Sequence, residues 1–208
     1  MGVMIPRVGL VTAVGNRGSG KTTLCRALAV RLAERRPVLA LDPWNEWGHI
    51  VDTTVTSVRE LASALKAGRR HVRLCSSRRG DALALLRLAY EVDDCFLVLD
   101  EADLVLRNQH NPEEFDRIVS YGRHFGQSVL AIARRPSDLP RSLTAQGVLC
   151  FSHTREPNDR KWLRARLGDW PPDLEPYHWA VHDMTGEMEI LPPSWAAGEL
   201  ARVGMGLN

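Results

Sequence analysis

Short apolar runs recur along the chain, and most of them are continuous rather than alternating with polar residues. A continuous run bounded by turn residues is typical of a strand that is covered on both faces, as in a parallel sheet. The runs predicted as strands are residues 8–14, 38–42, 71–75, 95–100, 128–133 and 147–152.

Between these runs, apolar residues recur at the three- and four-residue spacing of an amphipathic helix. Leu24, Leu28 and Leu32 form one such face, while Ser57 and Gly68 supply the start and stop signals of another helix. The predicted helices cover residues 22–35, 58–67, 82–91, 113–125 and 158–167. Regular alternation of strand and helix predicts an α/β fold, with a mostly parallel central sheet and helices on both faces.

The C-terminal part has a different pattern. Residues 177–184 and 187–191 flank Thr185-Gly186, which predicts a β-hairpin, and residues 192–208 are interpreted as a tail with a short helix. The chain has 208 residues, of which 44% are hydrophobic, and this suits one domain covering residues 1–208. No apolar run is long enough to cross a bilayer, and the N-terminus lacks a secretion signal, so the protein is not expected to be secreted.

The charge of the chain does not by itself identify a partner. The formal net charge of +2 is too small to predict binding to a polyanion. Lysine occurs only at Lys21, Lys66 and Lys161, so every other basic residue besides histidine is an arginine. Arginine suits phosphate contacts, but a compositional bias of the genome or a hot environment explains the same excess.

A glycine-rich turn between the first strand and the first helix carries the strongest chemical signal. It fits G-x-x-x-x-G-K-[ST], in which backbone N–H groups and the start of a helix surround phosphate oxygens. Lys21 is then predicted to contact the β- and γ-phosphates, and the Thr22 hydroxyl to bind Mg²⁺. The residues predicted to bind the nucleotide are Gly15, Asn16, Arg17, Gly18, Ser19, Gly20, Lys21, Thr22 and Thr23.

An acid pair follows the apolar run at residues 95–100. The carboxyl ends of parallel strands share one sheet edge, so Asp100 is expected beside Thr22, where it would hold Mg²⁺. Glu101 is expected to orient the attacking water and accept its proton. Together with Lys21, these residues predict hydrolysis of ATP with Mg²⁺ as cofactor, in a P-loop NTPase with a RecA-like fold.

Residues 121–140 and 151–160 resemble the FtsK–HerA superfamily of DNA-pumping ATPases. The resemblance rests on an arginine-containing helix, a glycine and a strand that lead into Arg135-Pro136-Ser137. It implies a homo-oligomeric ring, usually a hexamer, with double-stranded DNA through its centre. It also implies an arginine that reaches the γ-phosphate of the neighbouring subunit, for which Arg123 is the first candidate and Arg117 the second. Arg134 stands where the family usually carries a polar sensor, so it is included among the catalytic candidates.

The phosphate loop begins at residue 15, so neither a preceding barrel nor a membrane anchor is expected. This layout is similar to that of genome-packaging ATPases of membrane-containing icosahedral viruses. The expected partners are a capsid vertex or membrane protein, and the expected location is the host cytoplasm or the virion. A cellular or plasmid DNA translocase, a zonula-occludens-toxin-like assembly ATPase and a small-molecule kinase stay open as alternatives.

Two loops and two tryptophans complete the predictions. Residues 78–79 and 107–110 are candidate DNA-contacting loops because of their charge, although solvated surface loops fit equally well. Trp44 and Trp47 follow the second strand near the expected ligand edge. One of them could stack on adenine, but core or interface packing is the stronger expectation.

Overall fold

The computed structural model describes residues 8–33, 36–106, 111–154, 156–168, 174–202 and 205. In these residues, nine strands form one sheet in the order β3-β4-β2-β5-β6-β1-β7-β8-β9. The strands are β1 (Leu10–Val14), β2 (Val38–Leu41), β3 (Thr53–Val55), β4 (His71–Leu74), β5 (Phe96–Leu99), β6 (Ser128–Ala133), β7 (Val148–Ser152), β8 (Trp179–His182) and β9 (Met188–Leu191). Strands β1 to β7 run parallel, and the β8–β9 hairpin joins β7 in antiparallel pairing.

The sheet separates two apolar layers. Alternate residues of β6 enter opposite layers, with Val129 and Ala131 on one side and Leu130 and Ile132 on the other. Helices α2 (Val58–Lys66), α3 (Arg79–Tyr90), α4 (Glu113–Tyr121), α5 (Arg141–Ala145) and α6 (Pro157–Leu167) cover the first side. Helix α1 (Lys21–Ala33) covers the second side, and α7 (Pro193–Ala201) packs on α1. The predicted α/β fold, with a mostly parallel sheet and helices on both faces, is confirmed.

Several boundaries differ from the sequence predictions. Strand β3 was not predicted, since its three residues, Thr53–Val55, include two threonines and lack a continuous apolar run. Asp100 therefore follows the fifth strand of the chain rather than the fourth. Helix α3 begins at Arg79, before the predicted start at Ala82. The helix predicted at residues 113–125 ends as an α-helix at Tyr121 and continues as a 3₁₀ turn over Gly122–Phe125.

The C-terminal tail is part of the globular body as far as the structure describes it. Ala196 and Leu200 of α7 form a small apolar cluster with Ala27 of α1. The predicted short helix is confirmed, and α7 packs on α1. No helix in the described ranges combines the length and the apolar character that a membrane crossing requires.

Candidate active site

The phosphate loop connects β1 to α1 at the carboxyl edge of the parallel strands. Gly18 and Gly20 have φ angles of 77° and 84°, which side chains other than glycine rarely adopt. Gly15 is required for space, because a Cβ atom there would lie 2.2 Å from the Ser152 hydroxyl oxygen. The loop can therefore hold this tight path only with glycine at these positions.

Lys21 folds back over its own loop. Its Nζ donates hydrogen bonds to the carbonyl oxygens of Gly15, at 2.8 Å, and Asn16, at 2.9 Å. Burial lowers the pKa of Lys21, and the nearby Glu101 and Asp100 carboxylates partly oppose this shift. Phosphate oxygens are stronger acceptors for an ammonium group than these carbonyls, so an entering triphosphate can draw Nζ away from them.

Asp100 lies at the end of β5 and is 7% exposed. The indole Nε1 of the fully buried Trp47 donates to Asp100 Oδ2 at 3.1 Å. Burial raises the pKa of Asp100 to about 6, the Trp47 hydrogen bond lowers it, and the neighbouring carboxylates Glu46, Glu101 and Asp42 raise it further. A partly desolvated carboxylate interacts strongly with a nearby cation, so Asp100 is suited to hold a metal ion.

Glu101 and Arg134 form an ion pair across the same edge. Glu101 has a left-handed backbone, with φ of 55° and ψ of 56°, and its N–H donates to Asp100 Oδ1 at 3.1 Å. Arg134 follows β6, and its Nη2 lies 3.0 Å from Glu101 Oε1. The Arg134 side chain is 57% exposed, so this pair can exchange partners with little loss of packing.

Glu46 is a third carboxylate of this site that sequence reasoning did not identify. The Thr22 hydroxyl donates to Glu46 Oε2 at 2.9 Å. The loop that carries Glu46 is anchored by Asp42, which accepts hydrogen bonds from the Glu46 and Trp47 backbone N–H groups and pairs with Arg73. The available signal was positional: Asp42 and Glu46 follow β2, whose end faces the same edge as Asp100.

These residues surround one cleft of about 590 Å³. The sequence-predicted residues that line it are Arg17, Gly18, Gly20, Lys21, Thr22, Thr23, Asp100, Glu101 and Arg134. Trp44, Glu46 and Tyr177 complete the lining. Asn16 and Ser19 line an adjoining opening next to Ser152 and His153, and Gly15 lies at the start of the loop. Trp47 is buried in the core, whereas Trp44 is exposed at the rim of the cleft.

The other arginines lie elsewhere. Arg123 precedes β6 whereas Arg134 follows it, and a six-residue strand separates the two edges of the sheet by roughly 20 Å. Arg117 is on α4 and pairs with Glu113 one turn away. Neither arginine lines this cleft. Arg78 and Arg79, at the start of α3, are exposed on the same edge as the phosphate loop, and residues 107–110 lie outside the described residues.

The oxygen donors of the cleft fit a hard divalent cation. Mg²⁺ is commonly held by one or two protein oxygens, with substrate phosphates and water completing its shell. Thr22 Oγ1, Asp100 and Glu46 are such donors, and the glycine loop beside them fits a polyphosphate. The residues present therefore fit a magnesium–nucleoside triphosphate.

The fold and the cleft define a P-loop ATPase with a RecA-like sheet. Residues 7–135, more than half of the chain, match the AAA domain family model, and the chain belongs to this family. Comparison with curated protein sequences finds no match.

Solved structures show the same fold. A genome packaging NTPase, B204 from Sulfolobus turreted icosahedral virus 2, in complex with AMP, is 19% identical, with a TM-score of 0.76 over 91% of this chain and 99% of that one. VirB4 of Thermoanaerobacter pseudethanolicus is 9% identical, with a TM-score of 0.64 over 88% of each chain. EccC of Thermomonospora curvata is 11% identical, with a TM-score of 0.63 over 89% of this chain and 36% of that one.

Proposed function

We propose that the protein is a ring-forming motor that uses ATP hydrolysis to move double-stranded DNA into a preformed viral capsid. The observation that carries this proposal is the fold likeness to a viral genome-packaging NTPase, which extends over nearly the whole of both chains. The cleft at the carboxyl edge of the sheet supplies the chemistry that such a motor requires. The motor would act in the host cytoplasm and at the vertex of the virion, against a capsid or membrane protein.

The residues of the phosphate loop would bind the triphosphate. Backbone N–H groups of the loop and of the first turn of α1 would donate to its oxygens, and Lys21 would exchange its two loop carbonyls for phosphate. The N–H groups of Gly15 and Ser19 donate instead to the carbonyl oxygens of Ala133 and Asn16. Thr22 and Asp100 would hold Mg²⁺, which neutralises charge on the phosphates when it is bound. Thr22 would then leave Glu46, whose carboxylate would be available to order water around the metal.

Glu101 would position the attacking water and accept its proton. In the structure the Glu101 carboxylate is held by Arg134. A γ-phosphate offers Arg134 a second anion in the same cleft, so nucleotide binding would draw the guanidinium from Glu101 and free the carboxylate. This exchange links the start of water activation to a filled site.

A neighbouring subunit would complete the site. Arg123 is exposed at the opposite edge of the sheet from its own cleft, which supports a role toward another subunit rather than toward its own nucleotide. The guanidinium would stabilise charge that develops on the transferred phosphoryl group. Arg117 remains the second candidate, and its pairing with Glu113 would have to open.

The test of the ring uses two inactive variants. Arg123→Ala subunits and Lys21→Ala subunits are each expected to hydrolyse almost no ATP. Rings that contain both should regain activity, because some boundaries then join an intact phosphate loop to an intact Arg123. Native mass spectrometry verifies that mixed rings form. Mixed rings without any recovery of hydrolysis would exclude Arg123 as the arginine that acts across the boundary.

The motor function itself is tested by ATP hydrolysis with and without double-stranded DNA. We expect DNA of random sequence to stimulate hydrolysis severalfold, and stimulation to fall as salt rises, because phosphate contacts release counterions. The double variant Arg78→Ala/Arg79→Ala should weaken DNA binding and flatten the salt dependence by about one unit of slope per lost phosphate contact. Arg69→Ala/Arg70→Ala is the matched control, since these exposed arginines precede β4 and lie at the other edge of the sheet.

A second function has some structural support. EccC is a type VII secretion ATPase. The likeness of the fold to VirB4 and to EccC therefore fits an assembly or secretion motor. A cellular or plasmid DNA translocase shares the DNA-dependent behaviour of the leading proposal. DNA-independent hydrolysis in a verified ring would favour the assembly motor and overturn the DNA-packaging proposal.

A further inference from the structure

A second, polar opening of about 440 Å³ lies next to the cleft around Lys21, which we now call the phosphate cleft. Thr22, Thr23 and Arg26 of α1 line one side of this opening. Residues of the loop 45–49, which follows β2, and Arg73 of β4 line the other side. We call this opening the polar side cleft.

The polar side cleft and the phosphate cleft share part of their walls. Thr22, Thr23 and Glu46 line both of them. The hydrogen bond from the Thr22 hydroxyl to Glu46 Oε2 therefore lies at the boundary between the two spaces. If Thr22 turns to Mg²⁺, this hydrogen bond is lost, and with it the contact that joins the two walls at this point.

Arg26 supplies a charge to the polar side cleft that the protein does not neutralise. Its Nη2 donates to the backbone carbonyl oxygen of Glu46, and no carboxylate in the described part of the chain pairs with it. Its Nε is buried and has no hydrogen-bond partner among the described residues. Buried donors are nearly always satisfied, because an N–H group without an acceptor loses its hydration without compensation. An acceptor is therefore missing beside this guanidinium.

Arg73 adds a second guanidinium that is only partly occupied. Its Nη1 pairs with the buried Asp42 at 2.9 Å, and its Nε donates to Thr54 Oγ1 at 2.8 Å. Its Nη2 lies on the side of Gly48, where an added Cβ atom would be 3.0 Å away. Gly48 thus leaves open an end of Arg73 that a side chain would cover.

The charges around the polar side cleft favour a small anion. Asp42 offsets the charge of Arg73, and Glu46 is the one carboxylate among the described residues that line this cleft. The charge of Arg26 remains, and Arg73 Nη2 and the imidazole of His49 are further donors. Guanidinium groups match the geometry of phosphate oxygens.

We propose that the polar side cleft binds inorganic phosphate after its release from ATP, while ADP still occupies the phosphate loop. This inference rests on the proposed function, which supplies the phosphate. Attack by water forms a P–O bond at the γ-phosphorus and breaks the bond to the bridging oxygen, which leaves on ADP, while Glu101 takes the proton of the water. The phosphate then moves past Thr22 toward Arg26, so its departure does not require ADP to leave first.

The test is a calorimetric titration of inorganic phosphate into protein that is saturated with ADP and Mg²⁺, so that ADP fills the phosphate loop. We expect phosphate to bind to this complex. Arg26→Met keeps the apolar stem but removes the charged donors, so phosphate binding should weaken roughly tenfold or more. The affinity for ADP should stay nearly unchanged, because Arg26 does not line the phosphate cleft.

Three further variants locate the phosphate. Arg134 lines the phosphate cleft but not the polar side cleft, so Arg134→Ala should weaken phosphate binding by less than about twofold. Arg26→Lys keeps the charge without the planar donors and should recover part of the affinity that Arg26→Met loses. Arg31→Met is the matched control, since Arg31 is an exposed arginine in the last turn of α1, and it should change neither affinity.

Three results would overturn the inference while the nucleotide site stands. The first is absence of phosphate binding to the ADP complex, and the second is equal phosphate affinity in Arg26→Met and the unaltered protein. The third is a larger loss in Arg134→Ala than in Arg26→Met, which would leave the phosphate at its position of release. If ADP itself does not bind to the unaltered protein, the proposed function fails, and the inference fails with it.

Discussion

Two arginines at opposite edges of the sheet use their charges in different ways. Arg36 lies where β2, β5 and β6 begin, is 1% exposed, and donates to the Asp94 and Cys95 carbonyl oxygens and to the Ser128 hydroxyl. It also pairs with the Asp94 carboxylate at 2.9 Å. Arg134 lies where β6 ends, is 57% exposed, and pairs with Glu101. The first guanidinium fixes strand ends in place, and the second can be moved by a ligand.

The same contrast extends to the neighbours of each arginine. At the carboxyl edge, Lys21 is held by the carbonyls of its own loop, and Thr22 by Glu46. Each of these contacts satisfies a polar group without burying it deeply, so a ligand that offers a better partner can replace it at low cost. The buried guanidinium of Arg36 is already hydrogen-bonded to several groups, so a ligand cannot replace those partners at low cost. This difference assigns structure to one edge and chemistry to the other.

The largest expected effect comes from Glu101→Gln. Loss of the proton acceptor should reduce kcat for ATP hydrolysis by roughly 10²- to 10⁴-fold. Nucleotide affinity should stay within a few-fold of the unaltered value, because the amide keeps the size of the side chain. The measurement pairs steady-state hydrolysis with calorimetric binding of ATP. Retained turnover would remove Glu101 from its proposed role.

The next test compares how substitutions at Arg134 and Arg36 affect catalysis and stability. Arg134→Ala should lower kcat by roughly 10²-fold and change the free energy of unfolding by less than about 1 kcal/mol, since its ion pair is exposed. Arg36→Met should lower the free energy of unfolding by about 3 kcal/mol, because buried carbonyls lose their donor, with little change in kcat of the folded protein. Urea unfolding and hydrolysis assays on both variants would contradict the comparison if the pattern were reversed.

Asp100→Asn tests how the burial of this carboxyl group affects the pH dependence of stability. The pKa of Asp100 is raised to about 6, so the folded state binds more protons than the unfolded state between about pH 4 and pH 6. Stability from this group is therefore present below that window and falls as pH rises through it, by about 3 kcal/mol. Asp100→Asn should remove this fall, and the nucleotide-free variant should be more stable than the unaltered protein at pH 7. Equal pH profiles in chemical unfolding would contradict the burial of this charge.

The smallest expected effect is that of Trp47→Phe. The substitution keeps an aromatic ring in the core but removes the indole donor to Asp100 Oδ2. Because that hydrogen bond lowers the pKa of Asp100, the pKa should rise. The Mg²⁺ concentration for half-maximal hydrolysis should then increase a few-fold at pH 6.5, with a smaller increase at pH 8. A pH-independent change would indicate that Trp47 acts only through packing.

The parts of the fold and site that could be predicted share one property: local sequence encodes them. Strand β6 has the predicted bounds because its six buried residues are continuous and follow Gly126. The phosphate loop is encoded by glycines whose φ angles or space exclude other residues. Asp100 and Glu101 could be placed near the loop because parallel strands end at one edge.

What could not be predicted depends on contacts between distant segments. Thr22 and Glu46 are hydrogen-bonded across 24 positions, and Trp47 and Asp100 across 53. Neither pairing has a spacing signal in the sequence. The C-terminal hairpin lies beside β7 and α7 packs on α1, and no local pattern specifies either placement. Strand β3 was not predicted for a different reason, since its polar composition resembles that of a loop.

We propose that one cleft holds a triphosphate and Mg²⁺ between the phosphate loop and the acid pair after β5. A crystal structure with Mg²⁺ and a non-hydrolysable ATP analogue tests this claim most directly. We expect Lys21 Nζ to have left the Gly15 and Asn16 carbonyls for phosphate oxygens, and Thr22 to have exchanged Glu46 for the metal. A bound nucleotide that leaves Lys21 on its carbonyls, or a metal remote from Asp100, would contradict the account.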